Sequence, residues 1–261
     1  MLEIIFLSLV QSITEFLPVS SSGHLVIVRE LFGWREGGLG LLTDLGLHVG
    51  TLGAVCVYFM RELWFVFKGL YKKGAPRYQL TCLVIASIPI CVLGLLLGEK
   101  TETFLRHIPV ISVMLIVFGI LLYVGDKWGK RTKTMNTMSY SDAFLIGCAQ
   151  CLSLIPGVSR SGITITAARL RGIERTSATH FSMILSVPSI LGASGYYFLK
   201  SILNNDFSYI PTQFYWGIIF SFFGGLLAIA FLMNWVKNRS FFPFAIYRVV
   251  LGFLLILFYV F

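Results

Sequence analysis

The amino-acid sequence predicts an all-α integral membrane protein, with six transmembrane helices and two re-entrant helical hairpins in an inverted-topology repeat. Three observations carry this reading. Apolar residues fill 56% of the 261 positions and charged residues only 13%, with a mean hydropathy of +0.82, which leaves too little polar surface for a soluble globule. Apolar runs near the length of a spanning helix recur along the chain. A Ser/Gly-rich segment occurs twice, and each copy is followed by three such runs. The net charge of +9 would suit nucleic acid in a soluble protein. Here the basic residues sit in short loops between apolar segments, which argues against nucleic acid and for the lipid bilayer as partner.

Taken in order, the chain opens with an apolar stretch, Leu2 to Phe32, that is broken midway by Pro, Ser and Gly, and reads as two short helices meeting at a turn. It has neither a basic n-region nor a small-residue cleavage site, so the first helix is expected to remain. Three spans follow at Leu45 to Met60, Leu80 to Gly98 and Ile108 to Gly125. A second broken stretch covers Asp142 to Leu170, before spans at Phe181 to Leu199, Phe214 to Val236 and Phe241 to Phe261. Irregular backbone at membrane depth persists only where protein or a water-filled cavity satisfies it, so the broken stretches are read as re-entrant hairpins.

Lys and Arg collect after the first span (Arg61, Lys68, Lys72, Lys73, Arg77), the third (Lys127, Lys130, Arg131, Lys133) and the fifth (Lys237, Arg239). Those loops should be cytoplasmic and both termini outside. The opposite loops mix Lys100 and Arg106 with Glu99 and Glu102, or Lys200 with Asp206.

The repeat aligns without a gap. "QSITEFLPVSSSG" (Gln11 to Gly23) and "QCLSLIPGVSRSG" (Gln150 to Gly162) share the leading Gln and a V-S-x-S-G ending, and Glu3 matches Asp142 in offset. Three spans after each copy force the halves into opposite orientations, which gives a single membrane domain of two repeats, 1–130 with hairpin 2–32 and 139–261 with hairpin 142–171. The hairpins should meet near the midplane.

Ser8, Gln11, Ser12 and Glu15 fall on one helix face. Helix–helix hydrogen bonds would suit Ser and Gln, whereas an ionisable Glu15 in a membrane segment marks a functional site. Ser20, Ser21, Ser22 and Gly23 open the next helix; Ser159, Arg160, Ser161 and Gly162 repeat the device. Paired helix N-termini with a guanidinium fork suit a phosphate or diphosphate. Close helix packing is the other reading of the Ser/Gly clusters, and a structural pair with Glu15 the other reading of Arg160. His24 either exchanges protons with a phosphate oxygen or is a satisfied turn histidine. His48 and His180 are read as packing or interface residues, and Arg248 as snorkelling to the interface. Cys148 and Cys151 form a CxxC but lack a second pair, so they are read as buried apolar residues, and no disulfides are expected.

These segments resemble the undecaprenyl-diphosphate phosphatase, or bacitracin resistance protein, family. "QSITEFLPVSSSGHL" is similar to its (E/Q)xxxE segment and serine turn, "PGVSRSGIT" to its second signature, and "DAFLIGCAQCLSLIPGVSRSG" and "FAIYRVVLG" extend the match over essentially the whole chain. The resemblance implies hydrolysis of the C55 isoprenyl diphosphate to the monophosphate carrier and inorganic phosphate. It also implies bacitracin resistance and a site on the outer face of a bacterial plasma membrane, with a divalent metal ion, Mg2+ or Ca2+. It casts Glu15 as metal ligand or nucleophile activator, with Gln11 a weaker ligand. Ser21 becomes nucleophile or phosphate ligand and His24 acid or base. Arg160 becomes the diphosphate clamp, helped by Ser159, Ser161 and Thr164. Many members carry Glu where this chain has Gln11, which removes one negative ligand. A homo-oligomer is compatible with the sequence.

A flippase for the same lipid phosphate is the competing class, since broken-helix inverted repeats are the common transporter plan; release of inorganic phosphate separates the two. The type 2 phosphatidic acid phosphatase family, echoed by "SSSGH", is rejected: no Arg-Pro dipeptide occurs, and Thr166 stands where its histidine belongs.

Overall fold

In the computed structural model, which describes residues 1–34, 40–203 and 212–260, the chain is all-helical apart from one isolated bridge, Lys133 to Ile173. Asp206 lies outside the described residues. The first stretch forms α1 (Leu2–Phe16) and α2 (Ser21–Phe32); α3 (Gly40–Tyr58), α4 (Met60–Phe67), α5 (Ala75–Leu105) and α6 (Ile108–Trp128) follow. The second forms α7 (Tyr140–Gln150) and α8 (Arg160–Leu170), followed by α9 (Arg175–Leu203), α10 (Thr212–Asn238) and α11 (Phe242–Val260).

Among the described residues, four helices are long and apolar enough to cross a membrane: α5 over Ala75–Leu97, α6, α10 and α11 over Phe242–Tyr259. A fifth arises if α3 and α4, which bend by 79° at their junction, count as one span. The sequence reading put a loop after Met60, where the chain instead continues as α4. It also placed Cys148 and Cys151 in the core, whereas Cys148 is exposed and Cys151 half-buried. Helical spacing puts Cys148 on the outward face of α7 beside Phe144 and Leu145.

The hairpin breaks have a shared cause. A residue before proline is pushed out of helical geometry, and Leu17 (φ −65°, ψ 143°) before Pro18 and Ile155 (φ −83°, ψ 120°) before Pro156 are both extended. Ser20 (φ 80°) and Ser159 (φ 72°) are the only non-glycine residues with positive φ among the described residues. Each then caps the next helix, accepting from Gly23 N–H at 3.4 Å and Gly162 N–H at 3.1 Å. Strain of this kind persists only where the surroundings impose it, and here it recurs at matching places in the two repeats.

Packing follows the same exchange. Helix α1 packs on α10 and α7 on α5, so each hairpin leans on a helix of the other repeat. Helices α6 and α11 cross closely at two glycines: a Cβ on Gly119 would meet Arg248 Cβ at 3.0 Å, and one on Gly252 would meet Ser112 O at 2.7 Å. Small residues permit such approach where apolar burial cannot drive association.

The loop end of α7 is tied down by Asp142, which accepts from Lys133 Nζ at 2.7 Å, Arg171 Nε at 2.7 Å and Ser139 N–H at 2.9 Å. Burial alone would raise its pKa, but these donors outweigh burial and hold the carboxyl below its usual range. A carboxyl depressed on folding contributes stability above its unfolded pKa of about 4 and loses it as pH falls toward the folded value. Asp142→Asn should lower the thermal midpoint at pH 7, by about 2 kcal/mol of stability, and the deficit should shrink below pH 4; a pH-independent deficit would deny the carboxylate this role. Gly252→Val should lower the midpoint further by forcing α6 and α11 apart, as read in detergent by thermal unfolding.

Candidate active site

The polar stripe of α1 points into the protein: Ser8, Gln11 and Ser12 are fully buried and Glu15 is 8% exposed. Ser8 and Ser12 spend their hydroxyls on the carbonyls of Ile4 and Leu9. Glu15 is left as the polar end of the stripe, at the mouth of the hairpin turn.

Both oxygens of Glu15 are engaged. Arg160 Nη2 donates to Oε1 at 2.8 Å, joining the two hairpins by an ion pair. Ser21 Oγ donates to Oε2 at 2.6 Å, and Gln11 Nε2 donates to it at 3.1 Å. Arg160 thus has one amino group on Glu15, while Nη1 is buried without a hydrogen-bond partner. The two readings of Arg160 are compatible: it forms the structural pair and still presents a free donor.

Glu15, Ser21 and Arg160 therefore converge. Ser20 and Ser159 are spent on capping, and their hydroxyls also lie 3.4 Å from Ser22 Oγ and 3.2 Å from Ser161 Oγ. Ser161 Oγ donates to Leu17 O at 3.1 Å, stitching the second turn to the first. A Cβ on Gly23 would lie 3.5 Å from Gly157 Cα, and one on Gly162 would meet Arg248 Nη1 at 2.7 Å. The two turns therefore sit nearly in contact. The first N–H groups of α2 and α8 have no intrahelical acceptor, and both helix starts bring their positive ends to this place.

Thr164 does not join them. Its hydroxyl lies 2.9 Å from Arg160 O and 2.7 Å from Ser182 Oγ of α9, inside the bundle. His24 also stands apart from Glu15. Its Nδ1 lies 2.7 Å from Ser20 O, a contact only a donor makes, so Nε2 of the neutral ring accepts from Tyr247 OH at 2.7 Å. The two rings are stacked with centroids 5.6 Å apart.

Arg248 corrects the sequence reading. It does not snorkel: it is fully buried, with Nη1 donating to Pro18 O at 3.3 Å and Nη2 donating to Gly157 O at 3.0 Å and Val158 O at 2.8 Å. The guanidinium fork answers carbonyls that the broken helices leave open. His48 Nδ1 lies 2.8 Å from Asp44 O, and the ring is within electrostatic reach of Glu15, so it belongs beside the site rather than to packing alone. Asp44 forms a paired contact with Arg29. Tyr247, Arg248 and Ser182 were missed as site residues; only the "YR" inside an apolar span signalled the first two.

Among the described residues, no three His, Cys, Asp or Glu side chains cluster as metal ligands. Gln11 Oε1, beside Glu15, is buried and without a partner, so the hard oxygen donors present are one carboxylate and one amide carbonyl.

Comparison with known proteins gives a consistent likeness. The family model described as Bacitracin resistance protein BacA matches residues 4–254. The undecaprenyl-diphosphatase of Desulforudis audaxviator is 46% identical over 252 residues, covering 96% of this chain and 94% of that protein. That of Pelotomaculum thermopropionicum is 42% identical over 253 residues, covering 96% and 93%. That of Saccharophagus degradans is 39% identical over 256 residues, covering 96% and 95%.

Removing Arg248 should leave the turn carbonyls unanswered in a buried site, at a cost of about 3 kcal/mol. Arg248→Ala should show this as a lowered thermal midpoint, and Arg248→Lys should fail to restore it, because one ammonium does not span both turns. Full recovery by Lys would refute the fork.

Proposed function

The chain belongs to the bacitracin resistance protein BacA family, and from that premise we propose how the paired hairpins act. The protein is an undecaprenyl-diphosphatase: it hydrolyses undecaprenyl diphosphate to undecaprenyl phosphate and inorganic phosphate, regenerating the lipid carrier of cell-wall polysaccharide synthesis. Its bilayer setting and lipid substrate follow from the same membership and the apolar helices.

The observation that carries the residue assignment is the short Ser21 to Glu15 hydrogen bond beside the half-used Arg160 fork. A serine hydroxyl on a buried carboxylate is a nucleophile with its base. In our reading, Ser21 Oγ attacks the terminal phosphorus, its proton passes to Glu15, and the bond from that phosphorus to the bridging oxygen breaks. Undecaprenyl phosphate leaves. Water then cleaves the phosphoserine to release inorganic phosphate, and Ser21 recovers its proton. Arg160 Nη1 and the first N–H groups of α2 and α8 balance charge on the nonbridging oxygens throughout, which is the main demand of phosphoryl transfer. Gly23 and Gly162 let the two turns close on one another, and Ser22 stays partly exposed beside them. On the leaving-group side His24, whose Nδ1–H is spent on Ser20 O, acts as a base through Nε2, and the Tyr247 hydroxyl that donates to that nitrogen relays the proton.

A divalent ion fits this donor set if the diphosphate supplies most of its ligands. Glu15 and Gln11 Oε1 would hold it, as Mg2+ sites with few protein carboxylates do. When bound, such an ion adds neutralising charge on the phosphoryl oxygens.

We further propose that α3, α5, α6, α9, α10 and α11 are the six spans, with α1–α2 and α7–α8 as re-entrant hairpins of an inverted repeat. The matched serine caps and the exchange of hairpins between halves support this. Helix α9 has the length but carries Ser, Thr and His in its first half, of which Thr179 and Ser182 are buried in the protein while Ser177 and His180 line a cavity. The basic loops after α3, α6 and α10 support placing both termini and the site toward the outer face.

The deciding experiment is inorganic phosphate release from C55 diphosphate by the detergent-purified protein, with and without divalent metal. Metal-dependent release is expected, falling at least ~10³-fold in Glu15→Ala and Arg160→Ala. Ser21→Ala should fall similarly with an unchanged thermal midpoint, whereas full activity in that variant would remove Ser21 as nucleophile. Tyr247→Phe should lower kcat about tenfold with little change in KM. Lipid binding without phosphate release by a folded protein would overturn the hydrolytic reading.

A further inference from the structure

Away from the paired hairpins, a cavity of about 350 Å3, lined by charged, polar and apolar side chains, opens between α4, the start of α5, the 134–136 loop and the start of α9. Its walls carry both signs of charge. Arg61 and Glu62 are consecutive, and neither forms an ion pair among the described residues. His180 also lines the cavity, its ring held 5.0 Å from that of Phe59 and its Nε2 buried without a hydrogen-bond partner. Buried polar atoms in folded proteins nearly always have partners, so Nε2 points to a missing one. Gln79 Nε2 donates to Asn136 Oδ1 at 2.6 Å, which leaves the Asn136 amide hydrogens free to donate elsewhere.

The depth of the cavity follows from α4. This helix turns 79° from α3, and Met60, Trp64, Phe67 and Tyr71 form one stripe that is 64%, 58%, 58% and 62% exposed. Lys68 Nζ lies 5.8 Å from the Trp64 ring centre. Exposed aromatics with adjacent Lys, on a helix turned sharply from its neighbour, are the pattern of a segment lying at headgroup level. Glu62 and Phe65, on its other side, face the cavity. A ligand entering from the bilayer at that level is a lipid headgroup.

We infer that this cavity binds the phosphoethanolamine headgroup of a membrane phospholipid. The phosphodiester meets Arg61, His180 Nε2 and the Asn136 amide; the primary ammonium, with three donors, meets Glu62. A plain anion would be repelled by Glu62, and a trimethylammonium headgroup has no N–H to give it. The site is independent of hydrolysis, since none of these residues belongs to the catalytic set.

The test uses the full-length protein in detergent and reads the thermal midpoint during titration with dioctanoyl phosphatidylethanolamine, phosphatidylcholine or phosphatidylglycerol, or with water-soluble glycerophosphoethanolamine. Phosphatidylethanolamine should act at concentrations at least ~tenfold below the other lipids, a difference of about 1.4 kcal/mol. Arg61→Gln should abolish the response to all three lipids. Glu62→Gln should erase only the preference for ethanolamine over choline. Asn136→Ala, on an exposed loop, supplies an arm that does not burden the helices and should weaken the ethanolamine response. Phosphate release should be unchanged in each variant, so failure here is separable from failure of the phosphatase reading. Equal shifts by the three lipids, a larger response to phosphatidylglycerol, or a retained preference in Glu62→Gln would overturn the proposal. Glycerophosphoethanolamine acting as well as the lipid would overturn its membrane source.

Discussion

A helix that breaks within a packed apolar bundle strands buried carbonyl groups without helical partners, and much of the arrangement answers that constraint. Arg248 meets it for both hairpins at once, donating to Pro18, Gly157 and Val158 from a fully buried position. To do so, α11 must hold one rotation and one distance relative to the hairpins. The Gly119 and Gly252 crossing with α6 permits that distance. With the turns pinned, Ser20 and Ser159 are held in a backbone conformation they would not choose, and the starts of α2 and α8 converge as a consequence.

Convergence creates an electrostatic demand that the ion pair meets. Two helix starts and a guanidinium are a concentrated positive site, and a bare cation buried there would cost several kcal/mol. Glu15 supplies the compensating charge in the absence of a phosphate, and its bond to Arg160 ties one half of the chain to the other. In the mechanism proposed, an arriving diphosphate shares that compensation without displacing Glu15, because Nη1 is still open. The carboxylate then remains where the serine proton needs it.

Much of this could be read from residue order. Proline and serine placement marked both hairpins, the three- and four-residue spacing of Ser8, Gln11, Ser12 and Glu15 oriented α1, and the V-S-x-S-G echo brought Ser21 and Arg160 to equivalent positions. What escaped depended on relations that local sequence does not encode. Arg248 sits far along the chain from the carbonyls it serves, and its position near a span end made snorkelling the simpler account. Tyr247 matters only through His24, a contact across 223 positions. The second echo between halves, "VFGILLY" against "VLGFLLI", is visible at the α6 and α11 crossing, but two short apolar strings carry little information until packing aligns them. Thr164 was misplaced for a related reason: its spacing from Arg160 is right, and only α9 reveals that Ser182 claims its hydroxyl. The bend into α4 was hidden because the run of apolar residues does not pause there.

The two hairpins are near-copies in backbone but not in side chain, since Ser21 in one corresponds to Arg160 in the other. A site built with complete twofold symmetry would receive a symmetrical pyrophosphate group equally well either way round. Replacing one serine by arginine gives the cleft a polarity, so a molecule whose two phosphates differ only by the chain attached to one of them can be told head from tail. Glu15 and His24, which stand opposite Leu154 and Ile163 in the other copy, add to that polarity.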